Sequence, residues 1–597
     1  MMKTVPKQVQ VKSSIATPAP PTIDLTVTPR PSTPRMPSAA VVSVSSVSST
    51  ISYQCSPADT LTSKGSTSSA VPSLKGTFFF DSMDNSTRQK ADESLARAIY
   101  ASGSPLMLTS NVYWKRFFNT IRPAYSPPTR YALSTNLFEA EYVRVHDKVT
   151  ETIQNADCLA VISDGWSNIR GESIINYIIT TPQPVFFKSV DTKDKRHTSE
   201  YIANEVKNVI TDIGCNKVFA VITDNAANMK DAWKIINEEY PHITPIGCAA
   251  HGLSLLLGDV MKLQTMQMLF KKAKKVVKYV RVRQIISATF SQKQMARKKS
   301  TSLKLPNKTR WGAVVIMYKS LLGGKESLQE LAIMELVEID ATIRNILLDN
   351  VFWAYIVSSL KVLNPVASAI TQIEGDSSLL SDVPRHFKNL KEKLTIALPQ
   401  SPLQKQEEND TLTFIENREE FCLKPIHAAA NILDPKCHGD DLDNQQISSA
   451  YEFISAMAHH LELDEGRVLA CLAKYLAKDG LWKGEGVWAS AQHISAATWW
   501  KGLCGTEILS PIASIILQIP PTSASCERNW SLFGSIHTKV RNRLTNAKVE
   551  NLVSIRSNLI LFESTEDTST QLEVDFENDE VAASSSESDD LDDMQTE

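Results

Sequence analysis

The chain lacks the features that mark secreted and membrane proteins. Its nine cysteines are scattered over 597 residues with no C-x-x-C pair, a pattern typical of free thiols in a reducing compartment. No apolar run approaches the roughly 20 residues that cross a bilayer, and the N-terminus carries no apolar signal region. These absences predict a soluble intracellular protein without a membrane partner. Its length predicts two or more folded units.

Two segments each lack one sign of charge. Residues 271–310 contain fourteen Lys and Arg and no acid, which predicts contacts with the phosphates of double-stranded DNA. A solvated helix face is the alternative. The tail, 564–597, has no Lys or Arg and is predicted to be disordered. The densest basic runs are Lys271, Lys272, Lys274 and Lys275, followed by Arg297, Lys298 and Lys299.

Strand candidates are few, and they cluster in one part of the chain. Their order with the intervening amphipathic stretches is β-β-β-α-β-α-β-α. From about 316 to 500 the apolar periodicity is helical, with a loop expected at 400–412. The predicted fold class is therefore α/β with a large all-α unit. The predicted strands cover 158–162, 174–180, 185–190, 218–222 and 246–248.

Two aspartates directly follow predicted buried strands. Asp164 follows the first strand and Asp224 follows the fourth. Three antiparallel strands and a right-handed helical crossover would return the fourth strand parallel to the first. If these two strands are neighbours, about 4.8 Å apart, both acids emerge at one sheet edge. An Asp in that position is also a common turn or helix-cap residue.

A third acid, Glu527, lies on a predicted helix 303 residues beyond Asp224 (527 − 224). Three converging carboxylates can hold two divalent cations about 3.5–4 Å apart, an arrangement that cuts or joins phosphodiesters. Oxygen ligands favour Mg²⁺ or Mn²⁺. Asp164, Asp224 and Glu527 are thus the candidate catalytic and metal-binding residues.

The segments around these acids resemble the hAT superfamily of DNA transposases. Six short motifs occur in the family's order between about 112 and 561, and together they form a specific signal. They are SDGWS at 163–167, TDNAANM at 223–229, the C-x-x-H motif in GCAAHGLSL at 247–255, TRW at 309–311, PPTSASCERNWS at 520–531, and Arg543-Leu544 with the helix at 547–559.

The resemblance implies an RNase H-like domain interrupted by a large all-α insertion, followed by a C-terminal hAT dimerisation region. A homodimer or higher homo-oligomer is expected. An apolar stripe on the helix around Val549 would join protomers or close the core. The implied organisation is a disordered Ser/Thr/Pro-rich segment (1–76), an N-terminal helical segment (77–150), the first part of the RNase H-like domain (151–315), the insertion (316–498), the domain's completion with the dimerisation region (499–563), and the disordered acidic tail (564–597).

The resemblance also implies a reaction. Water attacks one strand at a transposon end, the released hydroxyl forms a hairpin on flanking DNA, and the excised 3′ end attacks target DNA. His251 would lie close to the scissile phosphate; a core histidine or half of a zinc site are the alternatives. Arg310 and Trp311 would contact DNA, with Trp311 stacking on a flipped base or serving as a core tryptophan. Activity on DNA implies that the protein resides in the nucleus.

One family feature is missing. Most members carry an N-terminal BED zinc finger, which needs paired cysteines and histidines. The first 110 residues contain only Cys55 and no histidine, so the finger that recognises transposon ends is absent. This absence keeps a second hypothesis open, a catalytically inactive, transposase-derived nuclear regulator that binds DNA and dimerises.

Overall fold

A computed structural model of the chain describes residues 81–168, 171–181, 183–192, 195–306, 312–335, 338–375, 377–537 and 544–566. Arg310 and Trp311, and most of both predicted disordered ends, lie outside the described residues. The domain boundaries given above therefore stay predictions.

The described residues form one five-stranded mixed sheet, in the spatial order β3-β2-β1-β4-β5. The first three strands pair antiparallel, whereas β4 runs parallel to both β1 and β5. The predicted neighbourhood of the first and fourth strands is thus confirmed. The strands are β1 (Leu159–Ser167), β2 (Ser173–Thr180), β3 (Pro184–Asp191), β4 (Val218–Thr223) and β5 (Thr244–Gly247).

Helices make up the rest of the described regular structure, and between Ala249 and Leu503 the described part of the chain contains no strand. They are α1 (Asn85–Ser102), α2 (Val112–Ile121), α3 (Arg130–Ser134), α4 (Asn136–Asn155), α5 (Ser199–Ile213), α6 (Ala227–Glu239), α7 (Ala249–Lys262), α8 (Gln264–Val282), α9 (Gln284–Ala296), α10 (Ala313–Ile333), α11 (Ala341–Leu348), α12 (Asn350–Glu374), α13 (Val383–Ala397), α14 (Lys405–Cys422), α15 (Pro425–Leu433), α16 (Asn444–His460), α17 (Glu465–Leu476), α18 (Glu485–Ser490), α19 (Ala496–Leu503), α20 (Ser510–Ile516), α21 (Ala524–Ile536) and α22 (Asn546–Glu566).

The first strand is longer than the apolar run that predicted it. That run ends at Ile162, but β1 continues to Ser167 because its pairing with β2 extends as far as Ser167↔Ser173. Pairing with β4 stops at Ile162↔Ile222. Asp164 therefore lies inside a strand rather than after one, in the part of β1 that β4 no longer covers.

Alternation along the strands gives the sheet two apolar faces. Leu159 and Val161 point to a core shared with α1, α4, α5, α6 and α22. Ala160 and Ile162 point to the opposite core, which α15, α16, α17, α20 and α21 complete. A third core lies among α7–α14 and contains no strand residue. The acidic residue at 164 shares the face of Ile162 and so points towards α21.

Local signals explain some helix boundaries and miss others. The Thr198 side chain caps α5 by accepting a hydrogen bond from the Tyr201 N–H, and Gly214 ends that helix, as predicted. The loop expected at 400–412 is wrong, because α14 begins at Lys405. The Glu407 side chain accepts from the Gln404 N–H at 2.9 Å and from the Thr265 N–H at 2.9 Å. The polar start of α14 is thus stabilised as a helix by a hydrogen bond to Thr265, which is distant in the sequence.

The long helices α12 and α22 both contribute apolar side chains to the buried cores. By length and composition α12 could span a membrane, and it is the one described helix of that kind. Many of its apolar residues, including Trp353 and Leu363, are buried in the core among α7–α14, whereas Val351 and Val357 are exposed. In α22, Val549, Val553 and Leu559 are also buried. The buried part of the stripe on α22 therefore packs in the core, whereas Ile560 is exposed. The role of this helix in joining protomers stays a prediction.

Candidate active site

Asp164 and Asp224 occupy matching positions on neighbouring parallel strands. Each lies two residues beyond the last register pair, Ile162↔Ile222. Both isoleucines point into the core that α21 covers. Because side chains two residues apart on a strand point to the same face, the extended backbone directs Asp164 to that face too. Both aspartates are half-buried, at the end of the sheet where β1 and β4 separate.

Helix α21 brings Glu527 to the same end of the sheet. Glu527 lies in its first turn. The neighbouring Cys526 thiol donates to the Ile162 carbonyl at 3.7 Å, so this turn sits directly over β1. One turn later, the Trp530 indole Nε1–H donates to Asp164 Oδ2 at 2.6 Å. The described fold thus unites residues from both ends of the folded chain.

The carboxyl groups interact electrostatically. Burial raises the pKa of Asp164 to about 6, with the Trp530 hydrogen bond lowering it and the charge of Asp224 raising it. Burial raises the pKa of Glu527 to about 8, and the charges of Asp164 and Glu374 add to the rise. Arg528 is the one cation that offsets the shift of Glu527. The site therefore concentrates negative charge with little compensation.

The turn after β4 is fixed by a buried amide. Asp224 Oδ1 accepts from the Ala226 N–H at 3.1 Å, so the turn role expected as an alternative for this Asp is present and leaves Oδ2 available. The Asn225 side chain is buried and donates to the Cys248 carbonyl at 3.1 Å. A Cβ at Gly247 would overlap the Asn225 side chain. Glycine at this position lets the end of β5 approach the Asn225 side chain closely.

His251 lies near Asp224, in the first turn of α7. Burial lowers the pKa of its imidazole, Asp224 raises it, and Arg418 lowers it further. The Cys248 sulfur accepts from the backbone N–H groups of His251 and Ser523, both at 3.4 Å. Burial raises the pKa of the Cys248 thiol to about 11. The cysteine of the C-x-x-H motif thus caps α7 and ties it to the segment before α21.

The donor set suits a hard divalent cation by ligand type, because it consists of carboxylate oxygens with uncompensated charge. Among the described residues, no group of three or more His, Cys, Asp or Glu side chains is arranged as a ready ligand shell. One oxygen of Asp164 is already engaged by Trp530. The carboxylates are near one another but do not converge on a common point.

The basic run predicted to bind DNA divides into two parts. On α8, Lys271, Lys272, Lys274 and Lys275 are exposed, while Ala273 between them and Val276 after them are buried. Among the described residues no salt bridge joins an acid to these four lysines, although the charge of Lys275 helps to lower the pKa of Asp340. They form a continuous cationic face of the helix.

The second part of the run follows α9 and meets acids. Arg297 pairs with Glu326 at 3.0 Å and also with Glu330, and Lys299 pairs with Glu326 at 3.3 Å. Lys298 is exposed. Both glutamates belong to α10, outside the acid-free stretch. Chain neighbours gave no sign of this pairing.

Sequence reasoning gave no role to Trp530 or Glu374, which also border the site. Trp530 lies three residues after Glu527, and side chains three apart on a helix lie on the same side. That spacing could have linked it to the acids. Glu374 arrives from the end of α12, where its carbonyl accepts from Arg528 at 3.3 Å. No sequence signal points to Glu374.

Three family models match the chain, in overlapping or successive segments. A domain of unknown function, DUF659, matches residues 128–276, the ZBED1 RNase-like helical domain matches 246–346, and the hAT family C-terminal dimerisation region matches 472–559. No curated protein matches. The matched segments include Asp164, Asp224, His251 and Glu527. The chain is an hAT-family protein derived from a transposase.

Proposed function

We propose that this protein cleaves and rejoins DNA strands by metal-dependent catalysis, with Asp164, Asp224 and Glu527 as its acidic triad. The supporting observation is that Asp164 and Asp224 each lie two residues beyond the last β1–β4 register pair, Ile162↔Ile222, with the first turn of α21, which carries Glu527, directly over β1. An RNase H-like domain is part of the proposal. It is supported by three antiparallel strands followed by parallel β4 and β5.

The chain's own residues prepare the site. A pair of Mg²⁺ or Mn²⁺ ions, when bound, would stabilise the attacking and leaving oxygens of phosphoryl transfer. Trp530 fixes Oδ2 of Asp164, and the Gly165 backbone N–H also donates to this carboxylate. With a pKa of about 8, Glu527 is largely protonated at pH 7 and must lose its proton to become a ligand. Cation binding should therefore release a proton at pH 7, and it should strengthen while releasing fewer protons as pH rises through 8.

His251 contributes a different group to the same site. Because burial lowers its pKa, the neutral imidazole is favoured at pH 7. A neutral imidazole can donate a hydrogen bond to a phosphate oxygen or accept a proton from attacking water. The proposed substrate is double-stranded DNA in the nucleus, contacted by the exposed lysines of α8. The match to the dimerisation region supports a homodimer.

Nicking of supercoiled plasmid DNA in Mg²⁺ or Mn²⁺ tests the proposal. Wild-type protein should nick in a metal-dependent manner, and D164N, D224N and E527Q should each reduce the rate at least about 10³-fold. D231N is the matched control, because Asp231 is an exposed acid on α6 paired with Lys234. Nicking that survives D164A would contradict the assigned site.

A second candidate is a catalytically inactive regulator that binds DNA and self-associates. The carboxylates do not form a ready ligand shell among the described residues, and the first 110 residues lack paired cysteines and histidines. The same preparation discriminates the two. Salt-sensitive DNA binding and a dimer by light scattering, without metal-dependent nicking, would favour the regulator.

A further inference from the structure

Asn176 is the direct cross-strand neighbour of Asp164. The antiparallel register pairs Asp164 of β1 with Asn176 of β2. Directly opposed residues in an antiparallel pair point to the same face, with Cβ atoms about 4.5–5.5 Å apart. Ile174 and Ile178, two residues to either side of Asn176, are buried in the core beneath α21. The carboxamide therefore lies on the face of the sheet that carries the acidic site.

This carboxamide is buried and unpaired. Asn176 is 0% exposed, and neither Nδ2 nor Oδ1 has a hydrogen-bond partner among the described residues. Leaving a buried polar group unpaired destabilises a fold, and most such groups in proteins are paired. The middle of a covered strand normally favours a β-branched apolar residue. An orphan amide here needs a reason other than stability.

The two oxygens of Asp164 differ in their surroundings. Oδ2 accepts from the Trp530 indole at 2.6 Å. The Gly165 backbone N–H also donates to this carboxylate, and the cross-strand position able to supply a further side-chain donor is Asn176. A carboxylate that ligates a cation is commonly oriented by hydrogen bonds from residues outside the ligand set, and loss of such a bond weakens metal binding about 10–100-fold.

We propose that Asn176 is a positioning residue for Asp164. Its Nδ2–H donates to Asp164 Oδ1 once a divalent cation is bound, so that Trp530 and Asn176 hold the carboxylate from the helix and from the strand. The two oxygens of Asp164 have four lone pairs together, and donation from Trp530, Gly165 and Asn176 leaves one of them for the cation. The inference rests on the proposed function, because it assigns Asn176 to the same metal site.

A matched pair of substitutions, N176V and N176T, tests this role. Valine and threonine have nearly the same shape and the same preference for strands, but only threonine keeps a polar atom that can donate. Mn²⁺ affinity would be measured on the full chain by electron paramagnetic resonance. The melting temperature would be recorded with and without saturating Mn²⁺. Neither readout requires catalysis.

We expect N176V to melt about 1–3 °C above wild type without metal, because the orphan amide is gone. Its Mn²⁺ dissociation constant should rise about 10–100-fold. N176T should bind Mn²⁺ at least about threefold more tightly than N176V, a rescue that a merely structural residue would not show. If N176V fails to fold, N176T alone should still bind Mn²⁺ more weakly than wild type. S359A is the control, because the Ser359 hydroxyl is an equally buried orphan in α12.

The outcomes separate this inference from the proposed function. Wild-type affinity in N176V, together with loss of Mn²⁺ binding in D164N, would overturn the role of Asn176 and leave the metal site standing. Equal Mn²⁺ affinities of N176V and N176T would also overturn it. No Mn²⁺ binding by wild-type protein would overturn both.

Discussion

The acidic end of the sheet and the basic segment after α9 differ in whether their charges have partners of opposite sign. At the sheet, burial and mutual repulsion raise the pKa values of Asp164 and Glu527 to about 6 and about 8. Directly after α9, Arg297 is neutralised by Glu326 and Glu330 of α10. Uncompensated buried charge destabilises a protein and so indicates a functional site. A high density of like charges along the sequence is weaker evidence for a functional site, because the sequence does not show which charges are paired in the fold.

The largest expected effect on DNA binding concerns the exposed lysines. Replacing Lys271, Lys272, Lys274 and Lys275 together by alanine should weaken DNA binding about 100-fold at low salt. The slope of log affinity against log salt should fall by about 3–4. Fluorescence anisotropy with a duplex at several salt concentrations measures both quantities.

The paired cations provide the contrasting variant. R297A/K299A should weaken DNA binding less than about threefold, because Glu326 and Glu330 already neutralise these side chains. Equal losses of DNA affinity in the two variants would contradict the distinction between α8 and α9. They would indicate that the whole basic run, 271–310, contacts DNA uniformly.

The next effect is the pH dependence of stability at the acidic site. The pKa of Glu527 is about 8 in the folded state against an ordinary 4.5. Between those values the folded state retains a proton that the unfolded state has lost, so this stabilisation is complete below pH 4.5 and disappears as pH rises through 8. The free energy of unfolding of the wild type should fall by about 1–3 kcal/mol more than that of E527Q over this pH range. This value is smaller than the full pKa shift implies, because Glu527 is partly open to solvent.

Urea unfolding at pH 5, 7 and 9 measures the decline. E238Q, at an exposed position of α6, should follow wild type at all three values. Mn²⁺ at pH 9 should restore stability to wild type and not to E527Q. A wild-type protein whose stability does not decline between pH 5 and 9 would remove the contrast between the acidic site and the paired charges of α9.

Sequence patterns predicted those features that depend on nearby residues. The five strands, the Thr198 cap and the neighbourhood of β1 and β4 follow from apolar runs, capping chemistry and chain connectivity. Features that depend on distant partners were missed. β1 extends through Asp164 because β2 pairs with it, and α14 starts at Lys405 because Glu407 binds the start of α8.

The same limit applies to the site. The motifs identified Asp164, Asp224 and Glu527 as individual residues, and the strand order explained why the two aspartates are neighbours. The contributions of Trp530, Glu374 and Asn176 required the packing of α21, the end of α12 and the β1–β2 register. The contribution of Arg310 and Trp311 to DNA binding stays a prediction.

A smaller effect should follow loss of the indole hydrogen bond. W530F retains an aromatic ring against Trp166, whose centroid lies 5.3 Å away, but removes the donor to Asp164. Because that bond lowers the pKa of Asp164, W530F should raise this pKa above about 6. The variant should lose about 1–2 kcal/mol at pH 8 and less at pH 5, where Asp164 is protonated. W166F should show no such pH dependence, and a pH-independent loss in W530F would assign Trp530 to packing alone.

The smallest expected effect inverts the first. In E326Q/E330Q the charges of Arg297, Lys293 and Lys299 lose their partners on α10. If pairing is what keeps α9 from contacting phosphates, DNA affinity should rise about threefold and the salt slope should steepen by about 1–2. E238Q/E485Q removes two negative charges from exposed positions elsewhere, and so controls for the change in the net charge of the protein. An equal rise in both variants would mean that net charge, not local pairing, governs how these helices bind DNA.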